Sequence, residues 1–352
     1  MKIVVLDGYT SSQTAIRAAS ALPSNFWQCD LGSPRIRLVT TGKGDRIMIA
    51  VTRSGFRLSA VVPSLTLLTA ILLASATGAD DKKLDKLAEP VTQGQHIFTC
   101  GHSFHVFVPG ILADLAKKGE IKDHVQIGMS SIGGSRVIQH WDVAEEKNKA
   151  KEALKTGKVD VLTLSPIFLP DPGIENFTRL ALEHNKDIRI VVQPIWLRWD
   201  VYEPTTKKPD KVDHDAITGE ELRKRHEPYF KSMDEYIQEL NKKQGKTVLY
   251  VAPVAQAVIA LREKIIAGQA PGLKKQEDLF TDALGHGKVP LQLVVAYCNY
   301  AVIYRRSPVG LPVPSVLKQA KLGDDEEKLN RLLQELAWEA AIQHPLSGLK
   351  RR

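Results

Sequence analysis

The 352-residue sequence predicts an α/β fold, a three-layer α/β/α sandwich around a five-stranded parallel sheet. Three observations carry that prediction. Five short apolar runs recur between residues 97 and 252, as expected of strands buried on both faces. Helix-length segments separate them, and parallel neighbours need crossovers of that length. Turn formers stand at the borders, among them Gly101, Gly133-Gly134, Gly157 and Ser165-Pro166.

Ile97 to Cys100 reads as the first strand, stopped by Gly101. After it Phe104, Phe107, Val108, Ile111, Leu112 and Leu115 recur at helical spacing. Val125 to Gly128 is the second strand, and Val143 to Thr156 reads as one polar helix. Val159 to Leu164 is the third strand, Ile174 to His184 a helix, and Ile188 to Ile195 the fourth strand. A polar loop, Asp200 to Gly219, leads into a helix with Tyr229, Met233, Tyr236, Ile237 and Leu240 on its apolar face. Thr247 to Ala252 is the fifth strand, followed by a helix from Val254 to Ala267. Val289 to Tyr304 is apolar almost all round, which places it in the core. A last amphipathic helix spans Asp324 to Gln343. The predicted domain is 92–345, after a charged linker over 80–91 and before a basic tail over 346–352.

The N-terminal part does not continue this pattern. From Met48 the chain presents Arg53 and Arg57, an apolar stretch from Leu58 to Leu73, and Ala74-Ser75-Ala76. A positive segment, an apolar core and a small-residue cleavage pattern make up a secretory signal peptide. The apolar length is also near the lower limit for a membrane span, which leaves an uncleaved anchor as the alternative. The expectation is a leader over 48–79 and a secreted or periplasmic product, touching a membrane only if the leader stays. Residues 1–47 are then an over-extended N-terminus outside the fold. Residues 1–10 resemble the first strand of a 2-hydroxyacid dehydrogenase, but no Gly-rich dinucleotide loop follows. No cofactor is expected.

The net charge of +8 is concentrated in two places. Residues 1–79 hold eight Lys/Arg against three acids, and Lys350-Arg351-Arg352 close the chain. The body between is nearly neutral and carries no basic stripe, which argues against nucleic acid as a partner. Cys100 and Cys298 are left in the body, with two readings open: one disulfide, or two buried thiols.

Two stretches carry the chemistry. In Gly101-His102-Ser103 a strand end lifts a hydroxyl to the carboxyl edge of the sheet, where open α/β folds keep their ligands. A plain turn with a helix-capping serine is the competing reading. In Asp282-Ala283-Leu284-Gly285-His286 an acid and an imidazole share one loop. A hydroxyl nucleophile needs an imidazole to take its proton and a carboxylate to hold the imidazole tautomer.

These two blocks, with Gly133-Gly134 between them, resemble the SGNH (GDSL-type) hydrolases over roughly Thr92 to Pro312. The resemblance implies a flavodoxin-like sheet, with Ser103 as nucleophile, His286 as base and Asp282 as its orienter. It also implies an oxyanion hole from the backbone N–H of Ser103, from Gly134 (Gly133 as alternative) and from a third donor. The family places an Asn at that third position, and this chain has Ser165. The acid and histidine lie four apart, where the family commonly has three, which leaves a Ser–His dyad as the alternative to a triad. His102, His140, Trp196 and Trp199 are the expected substrate contacts, with Arg198 beside the tryptophans. His102 and His105 have HxxH-like spacing, but no convergent carboxylate suggests a metal. The function implied is an exported esterase acting on a small-molecule or carbohydrate ester, such as an O-acetyl group. The alternative is a non-catalytic carbohydrate- or ligand-binding protein with a degraded oxyanion hole.

Overall fold

Strand β1 (His96–Gly101) lies inside a five-stranded sheet because both of its faces are apolar, with Ile97, Phe98 and Cys100 all buried. It is flanked by β2 (Val125–Ser131) on one side and β3 (Val161–Leu164) on the other. Beyond β3 come β4 (Arg189–Val192) and β5 (Leu249–Val251). The order is β5-β4-β3-β1-β2 and every pairing is parallel. This is the flavodoxin-like 2-1-3-4-5 arrangement, whose chain reverses direction between β1 and β3 and opens a crevice at their carboxyl ends. The computed structural model describes residues 88–201, 209–320 and 323–350, and only the backbone of strands before them.

Helices cover the sheet as two further layers. α1 (Val108–Lys118), α6 (Val254–Ile266), α7 (Val289–Tyr304) and α9 (Glu326–Gln343) pack on one another. α2 (Val137–Trp141), α3 (Lys149–Lys155) and α4 (Pro172–His184) form the other group. α5 (Gly219–Gln244) joins α4 through Tyr236, whose hydroxyl donates to Asp171 O at 2.8 Å. A short α8 (Ser315–Lys318) precedes α9. α7 is buried over nearly its whole length, as its apolar sequence requires. No helix among the described residues is long and apolar enough to cross a membrane.

Several borders differ from the sequence reading. The first helix begins at Val108 and not at Phe104, because His102 O accepts from both His105 N and Val106 N and holds a turn. Pro109, in the first helical turn, suits that start. The predicted helix over 143–156 is a 3-10 turn, Glu145–Lys147, followed by α3. Asn148 breaks it, capping α3 by accepting from Lys151 N at 3.0 Å while its amide donates to His140 O. Cys100 and Cys298 are free and buried.

The basic tail also needs correction. Leu346 and Leu349 are buried in the core. Leu346 O accepts from Val251 N at 2.9 Å, and Leu349 O accepts from Ala88 N at 2.6 Å. Only residues 351 and 352 of that tail lie outside the described residues.

The chain divides into two units, Met1–Leu84 and Asp85–Arg352. The first holds a parallel pair, Lys2–Ile3 with Phe26–Trp27, and an antiparallel meander of Arg35–Thr40, Arg46–Arg53 and Phe56–Pro63. Arg53 pairs with Phe56 at the end of the register between the last two strands. Val- and Ile-rich runs around a Ser-Gly pair are a hairpin pattern. Those strands fall on residues read from the sequence as an over-extended N-terminus and the start of a leader. The remaining apolar stretch, Ala74-Ser75-Ala76 and most of the linker lie outside the described residues.

Candidate active site

β1 ends in Gly101 for a packing reason. A Cβ there would stand 2.7 Å from the His105 ring, which folds back under the strand end. The following turn leaves Ser103 exposed while His102, Phe104 and His105 turn inward. From α6 the chain reaches a loop pinned by an antiparallel bridge between Phe280 and Gly287. That loop brings His286 over the turn.

Ser103 Oγ lies 2.8 Å from His286 Nε2, and His286 Nδ1 lies 2.6 Å from Asp282 Oδ2. The other carboxylate oxygen of Asp282 accepts from Gly285 N at 3.1 Å and His286 N at 3.2 Å. Burial pushes the Asp282 carboxyl up, but the His286 ring and these amides outweigh it and hold it below the usual carboxylate value. The four-residue spacing therefore closes without strain on the contact. Gly285, within this turn, has φ +101°, a backbone conformation that favours glycine.

An aromatic stack fixes the imidazole from behind. Trp196 lies flat on Phe104 at 4.4 Å between centroids, and Phe104 meets the His286 ring edge-on at 5.3 Å. Trp196 Nε1 also donates to Gly285 O at 2.8 Å. At 2% exposure Trp196 is a support for the loop and not a surface for a ligand.

The glycine block stands beside the serine. Ile132 N donates to Gly101 O at 3.2 Å, which sets Gly133 and Gly134 next to the end of β1, both exposed. Gly134 has φ +61° and Gly133 does not, so the two glycines are not equivalent. His140 braces this turn from below, its ring nitrogens each 2.7 Å from a serine hydroxyl, Ser130 and Ser135. With both nitrogens engaged and the ring buried, His140 holds the turn and has no free polar atom for a substrate.

Ser165, after β3, is 2% exposed, and its hydroxyl donates to Gln193 O at 3.2 Å. Its oxygen lies 3.3 Å from His102 Nε2, while His102 Nδ1 accepts from Phe104 N at 3.3 Å. The proton on His102 is therefore on Nε2. Burial, reinforced by His105, His140, Arg198 and His286, pushes His102 down to about 3, so the ring is neutral. The Ser165 proton is committed to a backbone carbonyl and is not aimed at the crevice. His102, likewise buried, contributes to the turn and not to a pocket wall.

Beneath the site lies a polar network that sequence reasoning did not find. His105 Nδ1 is 2.7 Å from Gln193 Oε1, and Nε2 is 2.9 Å from Thr163 Oγ1. Gln193 Nε2 donates to Phe104 O at 2.9 Å, and Asn299 Nδ2 donates to Gln193 Oε1 at 2.8 Å. Burial pushes His105 down to about 4, against the Gln193 hydrogen bond. The signal for this network was an amide side chain deep inside each of two apolar runs, Gln193 and Asn299.

A second buried cluster fixes the rim. Asp200 takes both terminal nitrogens of Arg262, Nη2 at 2.9 Å, and lies 2.7 Å from His214 Nδ1. Burial alone would raise its carboxyl, but the His214 and Arg262 hydrogen bonds bring it down to about 2. His214 packs on Phe280 at 4.2 Å, and Trp199 N donates to Leu284 O at 3.2 Å. The rim is thus tied to the loop carrying Asp282 and His286 at two points. Trp199 is half-buried, and the Arg198 guanidinium lies over its ring and that of Phe168.

No family model and no curated protein matches the chain. Among solved structures it is similar to a protein from Parabacteroides merdae described as a GDSL-like lipase. The two are 12% identical, the match covers 61% of this chain and 97% of that one, and the TM-score is 0.37.

Proposed function

We propose that this chain is an exported serine ester hydrolase of the SGNH (GDSL-like) type, acting on an O-acyl group of a carbohydrate. The observation that carries the reading is the continuous relay Ser103 Oγ–His286 Nε2, His286 Nδ1–Asp282. Ser103 Oγ attacks the ester carbonyl carbon while His286 takes its proton, and Asp282 stabilises the imidazolium that forms. The developing oxyanion is met by the backbone N–H groups of Ser103 and Gly134. Collapse breaks the carbon–oxygen bond to the alcohol, which leaves with the proton from His286. Water then attacks the acyl-serine with His286 as base, releasing the acid and restoring Ser103. Export rests on the leader pattern over 48–79.

One observation favours a second reading, a ligand-binding protein on the same fold. The Ser165 hydroxyl, standing at the third oxyanion position, is spent on Gln193 O. A fluorophosphonate probe separates the two. Labelling that disappears in Ser103→Ala, together with loss of short-chain ester turnover, supports the hydrolase. Equal turnover by wild type and variant, or glycan binding without labelling, rules it out.

A further inference from the structure

The two strands that flank β1 send their exits to the same point. β2 runs into the turn Ile132-Gly133-Gly134-Ser135 and then α2, while β3 runs into residues 165–170 and then α4. β1 lies between them in a parallel sheet, so both segments leave beside the strand end that leads to Ser103. They meet at Asp171, which is fully buried.

One carboxylate joins the two exits. Asp171 Oδ2 accepts from Val137 N at 2.7 Å, and Oδ1 accepts from Ile138 N at 2.9 Å and Gly173 N at 3.0 Å. It therefore caps the first turns of α2 and α4 together, through charge-assisted bonds. A Cβ on Gly173 would stand 2.3 Å from Ile138 N, so the two helix starts meet backbone to backbone. Arg136 spans the same junction, its Nη2 donating to Pro170 O at 2.7 Å and its Nε 3.8 Å from Asp171 Oδ2.

The glycine turn takes its shape from its two ends. A Cβ on Gly133 or Gly134 would meet nothing within 4 Å, so packing does not hold either residue. The entry is held by Ile132 N on Gly101 O. The exit is held by His140 on Ser135, and by Asp171 on Val137 and Ile138, three and four residues after Gly134. A backbone N–H stabilises a developing oxyanion only when it is aimed before the reaction. A displacement of about 1 Å costs on the order of 100-fold in rate. With the Ser165 proton given to Gln193 O, more of that task falls on Gly134.

We infer that Asp171 is a positioning residue for the reaction: by locking the exit of β2 to the exit of β3, it aims the Gly134 N–H at the oxyanion without touching the substrate. The inference rests on the hydrolase reading, which supplies the oxyanion.

The test counts working sites on the full chain by fluorophosphonate labelling carried to completion, and expresses p-nitrophenyl acetate turnover per labelled site. Asp171→Asn sets an amide N–H against a backbone N–H, and kcat per labelled site is expected to fall about 100-fold while KM holds. Val137→Pro keeps the carboxylate and deletes one donor at the first helical position, where proline is tolerated. It is expected to cost about tenfold in kcat per labelled site. Tyr236→Phe removes the bond to Asp171 O and leaves the carboxylate in place, so it should lower the melting temperature and spare kcat per labelled site. Unchanged kcat per labelled site in Asp171→Asn, or in Val137→Pro should the first variant not fold, overturns the positioning role. A loss confined to KM or to the number of labelled sites, or an equal loss in Tyr236→Phe, overturns it as well. Any of these outcomes with an active, labelled wild type keeps the hydrolase, whereas a wild type that neither labels nor turns over removes the hydrolase and the positioning role together.

Discussion

Trp196 Nε1 holds Gly285 O at 2.8 Å, so the exit of β4 is hydrogen-bonded to the backbone immediately before His286. The same ring stacks on Phe104, which in turn supports the imidazole. Trp196→Phe keeps the stack and deletes the hydrogen bond, leaving a buried carbonyl unsatisfied. A loss of about 1–3 kcal/mol in stability is expected. Because the loop loosens without losing a substrate contact, kcat should fall while KM holds. An effect confined to KM would show that Trp196 touches substrate after all.

Asp282→Asn should lower kcat on the order of 10,000-fold, since the amide no longer fixes the His286 tautomer. Steady-state kinetics on a short-chain acyl ester provide the measure. A loss below about tenfold would reduce the site to a Ser–His pair, with Asp282 serving only to cap Gly285 and His286.

Ser165→Ala discriminates between a catalytic and a structural hydroxyl. With its proton already given to Gln193 O, the serine should be worth about 1 kcal/mol of stability and little rate. A fall in kcat of about 100-fold would make it a genuine oxyanion donor.

Arg262→Met strips the partner from a fully buried Asp200 carboxylate. Breaking such a pair costs about 3–5 kcal/mol, visible as a large drop in the thermal midpoint. Replacing both, Asp200→Asn with Arg262→Met, should recover part of that loss. If the single variant melts with wild type, the ion pair does not hold the rim.

His102, His105 and His226 are neutral in the fold, burial having pushed them down to about 3, 4 and 4. The unfolded chain binds these protons near pH 6.5, so between that value and pH 4 it takes up more protons than the native state. Their contribution is complete above pH 6.5 and is lost as the pH falls, at about 1.4 kcal/mol per pH unit for each histidine. Calorimetry from pH 7 to pH 4 should show a steep fall in the melting temperature, and a flat profile would contradict neutral burial of these rings.

The sheet was legible in the sequence because its inner strands are short apolar runs separated by helix-length stretches; the edge strand β2 instead alternates, with Val125, Ile127 and Met129 exposed. Ser103, Asp282 and His286 were legible because their blocks stand at the ends of elements. The supports were not. His140 and Trp196 read as substrate contacts, since nothing in a one-dimensional pattern says whether a ring at a sheet edge faces the crevice or the core. Their partners, Ser130, Ser135 and Gly285, settle the question only in three dimensions. Asp200 and Arg262 lie 62 residues apart with no shared motif, so the pair that fixes the rim left no local trace.

The hydrogen bond from Ala88 N to Leu349 O brings the two ends of the Asp85–Arg352 unit into contact. Its polypeptide is almost a closed ring, cut at one point. A short linker from residue 349 back to residue 88 would complete that ring, and a circularly permuted chain opened at an exposed loop should rebuild the same sheet. Strand order in space, and not which residue is synthesised first, is what the architecture demands.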